Sequence, residues 1–330
     1  MLEVRPNSVA HVGGRHVGGE GRPEIRLLMA APRGFCAGVR RAIDAVRDAL
    51  AKHGAPVYVR RAIVHNLDVV RSLEAAGAIF VEELDEVPEG AVVLFSAHGV
   101  SPAVAADARR RRHLAYDAVC PLVSKVHREV ERHELAGRQL VLIGHEDHPE
   151  IQGTLGHLKK VEARVVKSLE EVEALQFDRD EPTAYAIQTT YSVDDANAIV
   201  KALRERFADL VGPPSSDSCY ATTNRQAAIR EVAAQADAVI VAGEQFSSNA
   251  NRLAEVARTL CPHVQLVASA GELNWAALPR SGVIGMTAAA STPETAVQQI
   301  IAALAVRYRL ILDEVEALRE TTVFSRMKLA

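Results

Sequence analysis

RLLMAAPRGFCAGVRRAIDAVRDAL, residues 26–50, decides the fold class. It opens on a short apolar run, turns through a Pro-Arg-Gly-Phe-Cys loop, and continues with apolar residues at helical spacing. The same order recurs at VVLFSAHGVSPAVAADARR (92–110), LVLIGHEDHPEIQGTLGHL (140–158), AYAIQTTYSVDDANAIVKAL (184–203), DAVIVAGEQFSSNANRLAEVA (237–257) and SGVIGMTAAASTPETAVQQIIAAL (281–304). PVYVRRAIVHNLDVVRSL (56–73) fits as well. Strand, loop and helix in repetition are the signature of an α/β protein with parallel sheets. In such sheets ligands bind beyond the carboxyl ends of the strands, so every one of these loops is a candidate for function. The recurrence points to three similar units of roughly 90 to 100 residues, a usual size for a compact domain.

Length and composition bound the rest. The 330 residues allow two or three domains, and 48% hydrophobic with 24% charged residues is an ordinary globular profile. A net charge of −4 and only 4% aromatics supply neither a basic footprint nor stacking rings, which speaks against nucleic-acid binding. No apolar run approaches the roughly 20 residues of a membrane span. Residues 1–24 carry HVGG at 11–14 and again at 16–19, without an apolar period or a secretory signal. They read as a disordered leader on a cytoplasmic protein. ARRRR (108–112) reads as a solvated helix end, a docking patch being the alternative.

Three of the four cysteines share a setting. Cys36, Cys120 and Cys219 each stand just ahead of a helical segment, where the helix N-terminus favours thiolate, whereas Cys261 has no comparable loop. Separations of 84 and 99 residues match no zinc pairing and no ferredoxin run. Buried inert thiols are the plain reading. Converging loops would instead suit a catalytic zinc with an open position, or an iron–sulfur cluster with one iron lacking a protein ligand.

A polar set follows the apolar runs. His65, His98 and His148 together point to a site for something anionic or metallic, although each alone is an ordinary structural hydrogen-bonder. Ser247, Ser248, Asn249 and Ser291 precede helical segments, as N-caps do and as phosphate-binding turns also do. Glu150 opens a helix, and Thr189 closes a strand beside a Ser192–Asp195 capping pattern. There is no GxxxxGK[ST] and no GxGxxG, so the nucleotide-binding readings lack support.

PRGFCAGV, VHN, FSAHGVS, DAVCPLVSKVH, GHEDHPE, QTTYSVDD, CYATTNRQ, SSNANRL and TAAASTPE, taken in order from about residue 25 to the end, resemble the LytB (IspH) family of 4-hydroxy-3-methylbut-2-enyl diphosphate reductases. The resemblance implies three similar α/β units in a pseudo-threefold trefoil around a central iron–sulfur cavity. Their expected bounds are 38–120, 121–217 and 218–330, the last completed by strand 25–37, with the leader at 1–24 outside them. It implies a 4Fe-4S cluster on Cys36, Cys120 and Cys219. His65, His98, His148, Ser247, Ser248, Asn249 and Ser291 would then grip a diphosphate, Glu150 would donate a proton, and Thr189 would be its partner. The implied reaction is the last step of the non-mevalonate isoprenoid pathway: reductive removal of an allylic hydroxyl to give isopentenyl and dimethylallyl diphosphate, with electrons from a ferredoxin or flavodoxin.

Two positions depart from the family's pattern. Val119 stands where Thr is common before the second cysteine, and Ala289 where Gly is common, so a Cβ there could hinder approach to a phosphate. The alternatives are a paralogue acting on a different allylic diphosphate, a non-catalytic redox sensor, and a zinc hydrolase with a three-cysteine site.

Overall fold

The structure is a computed structural model that describes residues 10–19, 21–161, 163–213 and 218–329. Strands β1 (Ala10–Val17) and β2 (Glu24–Ala31) precede helix α1 (Ala37–His53). Next come β3 (Val57–Arg60), α2 (Leu67–Ala75), β4 (Ala78–Val81), β5 (Val92–Phe95), α3 (Pro102–Arg110) and β6 (Leu114–Asp117). They are followed by α4 (Pro121–Leu135), β7 (Gln139–Ile143), α5 (Pro149–Leu155), β8 (Ala163–Val166), α6 (Leu169–Glu173), β9 (Thr183–Ile187), α7 (Val193–Arg206) and β10 (Leu210–Val211). The remainder is α8 (Tyr220–Ala233), β11 (Ala238–Ala242), α9 (Ser248–Arg258), β12 (Val264–Val267), β13 (Gly282–Ala288), α10 (Glu294–Arg307) and β14 (Arg309–Glu316).

These elements fall into two bodies. One takes the chain up to Phe35 together with Tyr220–Thr322, and the other takes Cys36–Cys219 together with the tail from Val323. The first holds a six-stranded sheet in the order β1-β14-β2-β13-β11-β12. All its pairings are parallel except that of β1 with β14. Alternate side chains of β2 point to opposite faces. Ile25, Leu27 and Met29 join Ile284, Met286, Ile300 and Leu304 under α10, while Leu28 and Ala30 join Ile229, Val232 and Leu253 under α8 and α9. That two-sided burial is why the run 27–31 is continuously apolar.

The second body holds two four-stranded sheets, β4-β3-β5-β6 and β10-β9-β7-β8, parallel throughout. Side chains close the helix starts beyond their strands. Asn66 caps α2, Ser101 caps α3, His148 caps α5 and Ser192 caps α7. The two sheets meet across glycine: a Cβ on Gly153 of α5 would lie 3.3 Å from the Gly99 carbonyl oxygen. Gly99 itself has φ +78, and a Cβ there would meet the His127 ring at 2.6 Å. Glycine at 153 thus eases the seating of α5 on the loop after β5, and glycine at 99 leaves room for the His127 ring of α4.

Two expectations about the chain ends are corrected. Residues 10–17 are not a disordered leader but an edge strand, with a register irregularity between Val12 and Arg15; residues 1–9 lie outside the described ones. Pairing of this kind uses backbone groups only, so it needs no apolar period. The tail from Val323 belongs with α1 rather than with Tyr220–Thr322. Arg41 Nε donates to the Ser325 carbonyl at 3.3 Å and Lys52 Nζ to that of Leu329 at 3.1 Å. ARRRR is a solvated helix end, with Arg110 and Arg111 paired to Asp107 and Arg112 to Glu89. Among the described residues no helix is long and apolar enough to cross a membrane.

Candidate active site

Cys36, Cys120 and Cys219 all belong to the body that holds the two four-stranded sheets, each immediately before a helix: α1, α4 and α8. Cys36 caps α1, its sulfur accepting from the Val39 amide at 3.4 Å. The Cys120 amide donates to the Ala97 carbonyl, which ties it to the loop bearing His98. The Cys219 amide donates to the Thr189 carbonyl at 3.1 Å. Between the first two thiols stands Gly38, where a Cβ would lie 2.8 Å from Cys120 Sγ and 3.7 Å from Cys36 Sγ. A helix N-terminus favours thiolate, yet at Cys120 loss of water dominates. Burial pushes this thiol up to about 11, against the amides of Leu122 and Val123 and with help from Cys36 and Glu150. Cys261 is 1% exposed in the apolar core, as its sequence setting indicates.

Glu150 is the buried acid of the site, 2% exposed at the start of α5. Its Oε1 accepts from the Thr189 amide and its Oε2 from the Thr189 hydroxyl, both at 2.7 Å. Both carboxylate oxygens are therefore held by one residue from the end of β9. The Glu150 amide donates to His148 Nδ1 at 3.2 Å, so the neutral His148 ring carries its proton on Nε2, which is buried without a partner.

His148 sits with His65 and His98. Ring centroids are 4.2 Å apart for His65 and His98, 5.6 Å for His65 and His148, and 5.7 Å for His98 and His148. Burial lowers His65 to about 4 and His148 to about 3, and it holds His98 well below the ordinary range. His65 and His148 also disfavour charge on His98, and His65 does the same to His148. At neutral pH the trio is uncharged, a set of polar rings that an incoming anion would favour protonating.

The hydroxyl and amide residues lie in the other body. Ser247 caps α9, Ser248 is the first residue of that helix, and Ser291 lies in the turn before α10. Asn249 joins the two turns, its Oδ1 accepting from the Ala290 amide at 2.8 Å, and its buried Nδ2 has no partner. Capping is thus the observed task of Ser247, but Ser291 does not cap α10, whose N-cap is Pro293. Ala289 is fully buried in the core, where a Cβ on Gly243 would lie 3.1 Å from its methyl. Val119 gives its carbonyl to Arg41 Nη1 at 2.9 Å and its amide to Asp117.

The structure adds two residues to those read from the sequence. Gly38 leaves room between two thiols, which a motif shows only as a small residue. Arg225 is fully buried, in phase with Ala221, Ile229 and Val232 on the apolar face of α8, and this helical period is the signal that marks it.

Comparison with known proteins agrees with this geometry. The LytB protein family matches residues 27–305. The 4-hydroxy-3-methylbut-2-enyl diphosphate reductases of Paracoccus denitrificans (strain Pd 1222) and Cereibacter sphaeroides (strain ATCC 17023) are each 50% identical, over 92% of this chain and 96% and 95% of theirs. A solved structure, the E-1-hydroxy-2-methyl-but-2-enyl-4-diphosphate reductase from Plasmodium falciparum, superposes with a TM-score of 0.87 at 35% identity, covering 92% of this chain and 96% of that one. A second, titled (E)-4-hydroxy-3-methyl-but-2-enyl diphosphate reductase, the terminal enzyme of the non-mevalonate pathway, gives a TM-score of 0.62 at 29% identity over 85% and 98%. The fold class is theirs, and the chain belongs to the LytB protein family.

Proposed function

We propose that this protein removes the allylic hydroxyl of (E)-4-hydroxy-3-methylbut-2-enyl diphosphate, giving isopentenyl and dimethylallyl diphosphate, as the last step of the non-mevalonate isoprenoid pathway. The balance is two electrons and two protons in: the carbon–oxygen bond breaks, a carbon–hydrogen bond forms, and water leaves. The observation that carries the reading is Glu150, a buried carboxyl group held at both oxygens by Thr189 within the body that also bears the three cysteines and the three histidines.

Cys36, Cys120 and Cys219 would hold a 4Fe-4S cluster. Three thiols ahead of three helices, with the gap kept open by Gly38, fit such a group. When bound, it supplies the electrons and a Lewis-acidic iron without a protein ligand. The raised Cys120 thiol fits too, since a thiol kept protonated by burial ionises when metal arrives.

Glu150 is the proton donor to the departing oxygen. Thr189 orients it in both protonation states, because a hydroxyl donates to a carboxylate and accepts from an acid. His65, His98, His148, Ser247, Ser248, Asn249 and Ser291 bind the diphosphate. His148 Nε2–H and the Asn249 Nδ2 amide, both buried and unpartnered, are donors suited to phosphate oxygens. The electron donor in this reading is a ferredoxin or flavodoxin in the cytoplasm. With Ala289 inside the core, the case for a different allylic diphosphate weakens. A redox sensor has no use for a doubly held buried acid.

The test is anaerobic. Reduced methyl viologen should be reoxidised by the iron-loaded protein only when hydroxymethylbutenyl diphosphate is added, and Cys120→Ser should abolish it. A brown, iron-loaded protein that leaves the dye reduced would overturn the reading.

A further inference from the structure

Arg225 is fully buried, and all five of its N–H donors are used. Nε and Nη2 donate to the Gly34 carbonyl at 3.1 and 2.7 Å. Nη1 donates to the Ala221 carbonyl at 3.0 Å and to Glu320 Oε1 at 2.8 Å, and Nη2 also reaches Glu320 Oε2 at 3.4 Å. Asn224 Nδ2 donates to the same Oε1 at 3.3 Å. A guanidinium has five donors in a fixed fork, so this is saturation, and an ammonium with three cannot reproduce it.

What the fork grips is informative. Gly34 stands two residues before Cys36, and Ala221 two residues after Cys219. Two residues of chain span at most about 7 Å, so each gripped carbonyl belongs to the peptide turn that delivers a thiol. The Gly34 turn is also held from its other side, its amide donating to the Ala288 carbonyl at 3.0 Å, and its φ of +66 admits no ordinary side chain. All three passages of the chain between the two bodies, at 35/36, 219/220 and 322/323, lie within three residues of a group that Arg225 binds. One buried cation thus gathers the segment entering Cys36, the segment leaving Cys219 and the segment leading to the tail.

We propose that Arg225, neutralised by Glu320, is the positioning residue for two of the three cysteine ligands, fixing the turns at Gly34 and Ala221 so that Cys36 and Cys219 are preorganised for the cluster. The assignment rests on the iron–sulfur reading of those cysteines. Outer groups that orient metal ligands typically change metal affinity about 10- to 100-fold when altered.

The experiment compares iron-loaded wild type with R225K, R225Q, E320Q and L304A, the last a core truncation in the same body that lowers stability without touching the clasp. Iron release to a chelator under argon is followed beside the paramagnetic resonance spectrum of the reduced cluster and the melting temperature. R225K, which keeps the charge and loses the fork, should release iron at least about tenfold faster than L304A and show a shifted spectrum. R225K that holds iron as firmly as L304A with the wild-type spectrum overturns the assignment alone. A wild type that takes up no iron and sulfide overturns the cluster reading and the assignment with it. Should the Arg225 variants fail to fold, E320Q carries the same comparison: it preserves shape and leaves the guanidinium without its counter-charge. Release from E320Q faster than from L304A supports the clasp, and equal release overturns it.

Discussion

Glu150 and Thr189 are the sharpest test at the scale of single residues. Glu150→Gln is nearly isosteric: its carbonyl oxygen still accepts from the Thr189 amide, and its amide faces a hydroxyl able to accept. The variant should keep its iron and its melting temperature while dye-coupled turnover falls by about 10²- to 10⁴-fold, the usual share of a positioned acid. Thr189→Val removes only the hydroxyl, which donates to the buried Glu150 Oε2 at 2.7 Å. Leaving a buried polar group unsatisfied costs about 1–3 kcal/mol, so kcat should drop roughly five- to a hundredfold with less change in KM, and Thr189→Ser should restore it. His148 predicts a pH effect. Its folded value of about 3 lies below the unfolded 6.5, so between these limits the unfolded chain binds the extra proton. Stability contributed by the neutral ring is present above pH 6.5 and is lost as pH falls toward 3. His148→Asn keeps the helix cap but cannot charge, so its urea midpoint should fall less steeply than that of wild type from pH 6.5 downward. Parallel pH profiles would contradict the buried neutral imidazole.

Helix starts are the elements that carry this site, and they explain how much of it can be read from sequence. A strand run, a loop of Cys, His, Ser or Thr, and a helical period are visible because burial imposes periodicity and caps impose residue types. Cys36, His98, His148, Glu150 and Thr189 are legible for that reason. Edge strand β1 is not, because its partner β14 asks only for backbone groups. The tail is hidden similarly: Arg41 and Lys52 bind carbonyls, which every residue offers. Ala289 is misread because a turn's sequence does not tell which way its Cβ faces. Gly38 is readable only as small, and it yields a prediction with opposed signs. Alanine there should favour helix α1 by about 1 kcal/mol, yet its methyl would press on Cys120 Sγ at 2.8 Å. Gly38→Ala should show slower amide exchange along α1 and a lower iron content after anaerobic reconstitution. Full loading would mean that the gap between the thiols is not needed.

Across the whole molecule the four thiols divide by environment, and a single titration reads the division. Cys36 and Cys219 are half-buried at the two ends of the segment Cys36–Cys219, Cys120 is half-buried with its thiol raised to about 11, and Cys261 is sealed in the core of the other body. Alkylation needs thiolate, and at pH 8 a thiol near 11 is ionised in roughly one molecule in a thousand. Cluster-free protein treated with iodoacetamide and mapped by mass spectrometry should therefore label Cys120 far more slowly when folded than when unfolded in urea. Cys261 should be labelled only when denaturant opens the six-stranded sheet. Loading with iron and sulfide should protect Cys36, Cys120 and Cys219 together, because one group engages all three, and should leave Cys261 unchanged. Protection of two thiols, or protection that extends to Cys261, would contradict a shared three-cysteine site. Labelling of Cys120 as fast in the folded protein as in urea would instead contradict its burial, and with it the picture of a thiol that ionises only when a cation is supplied.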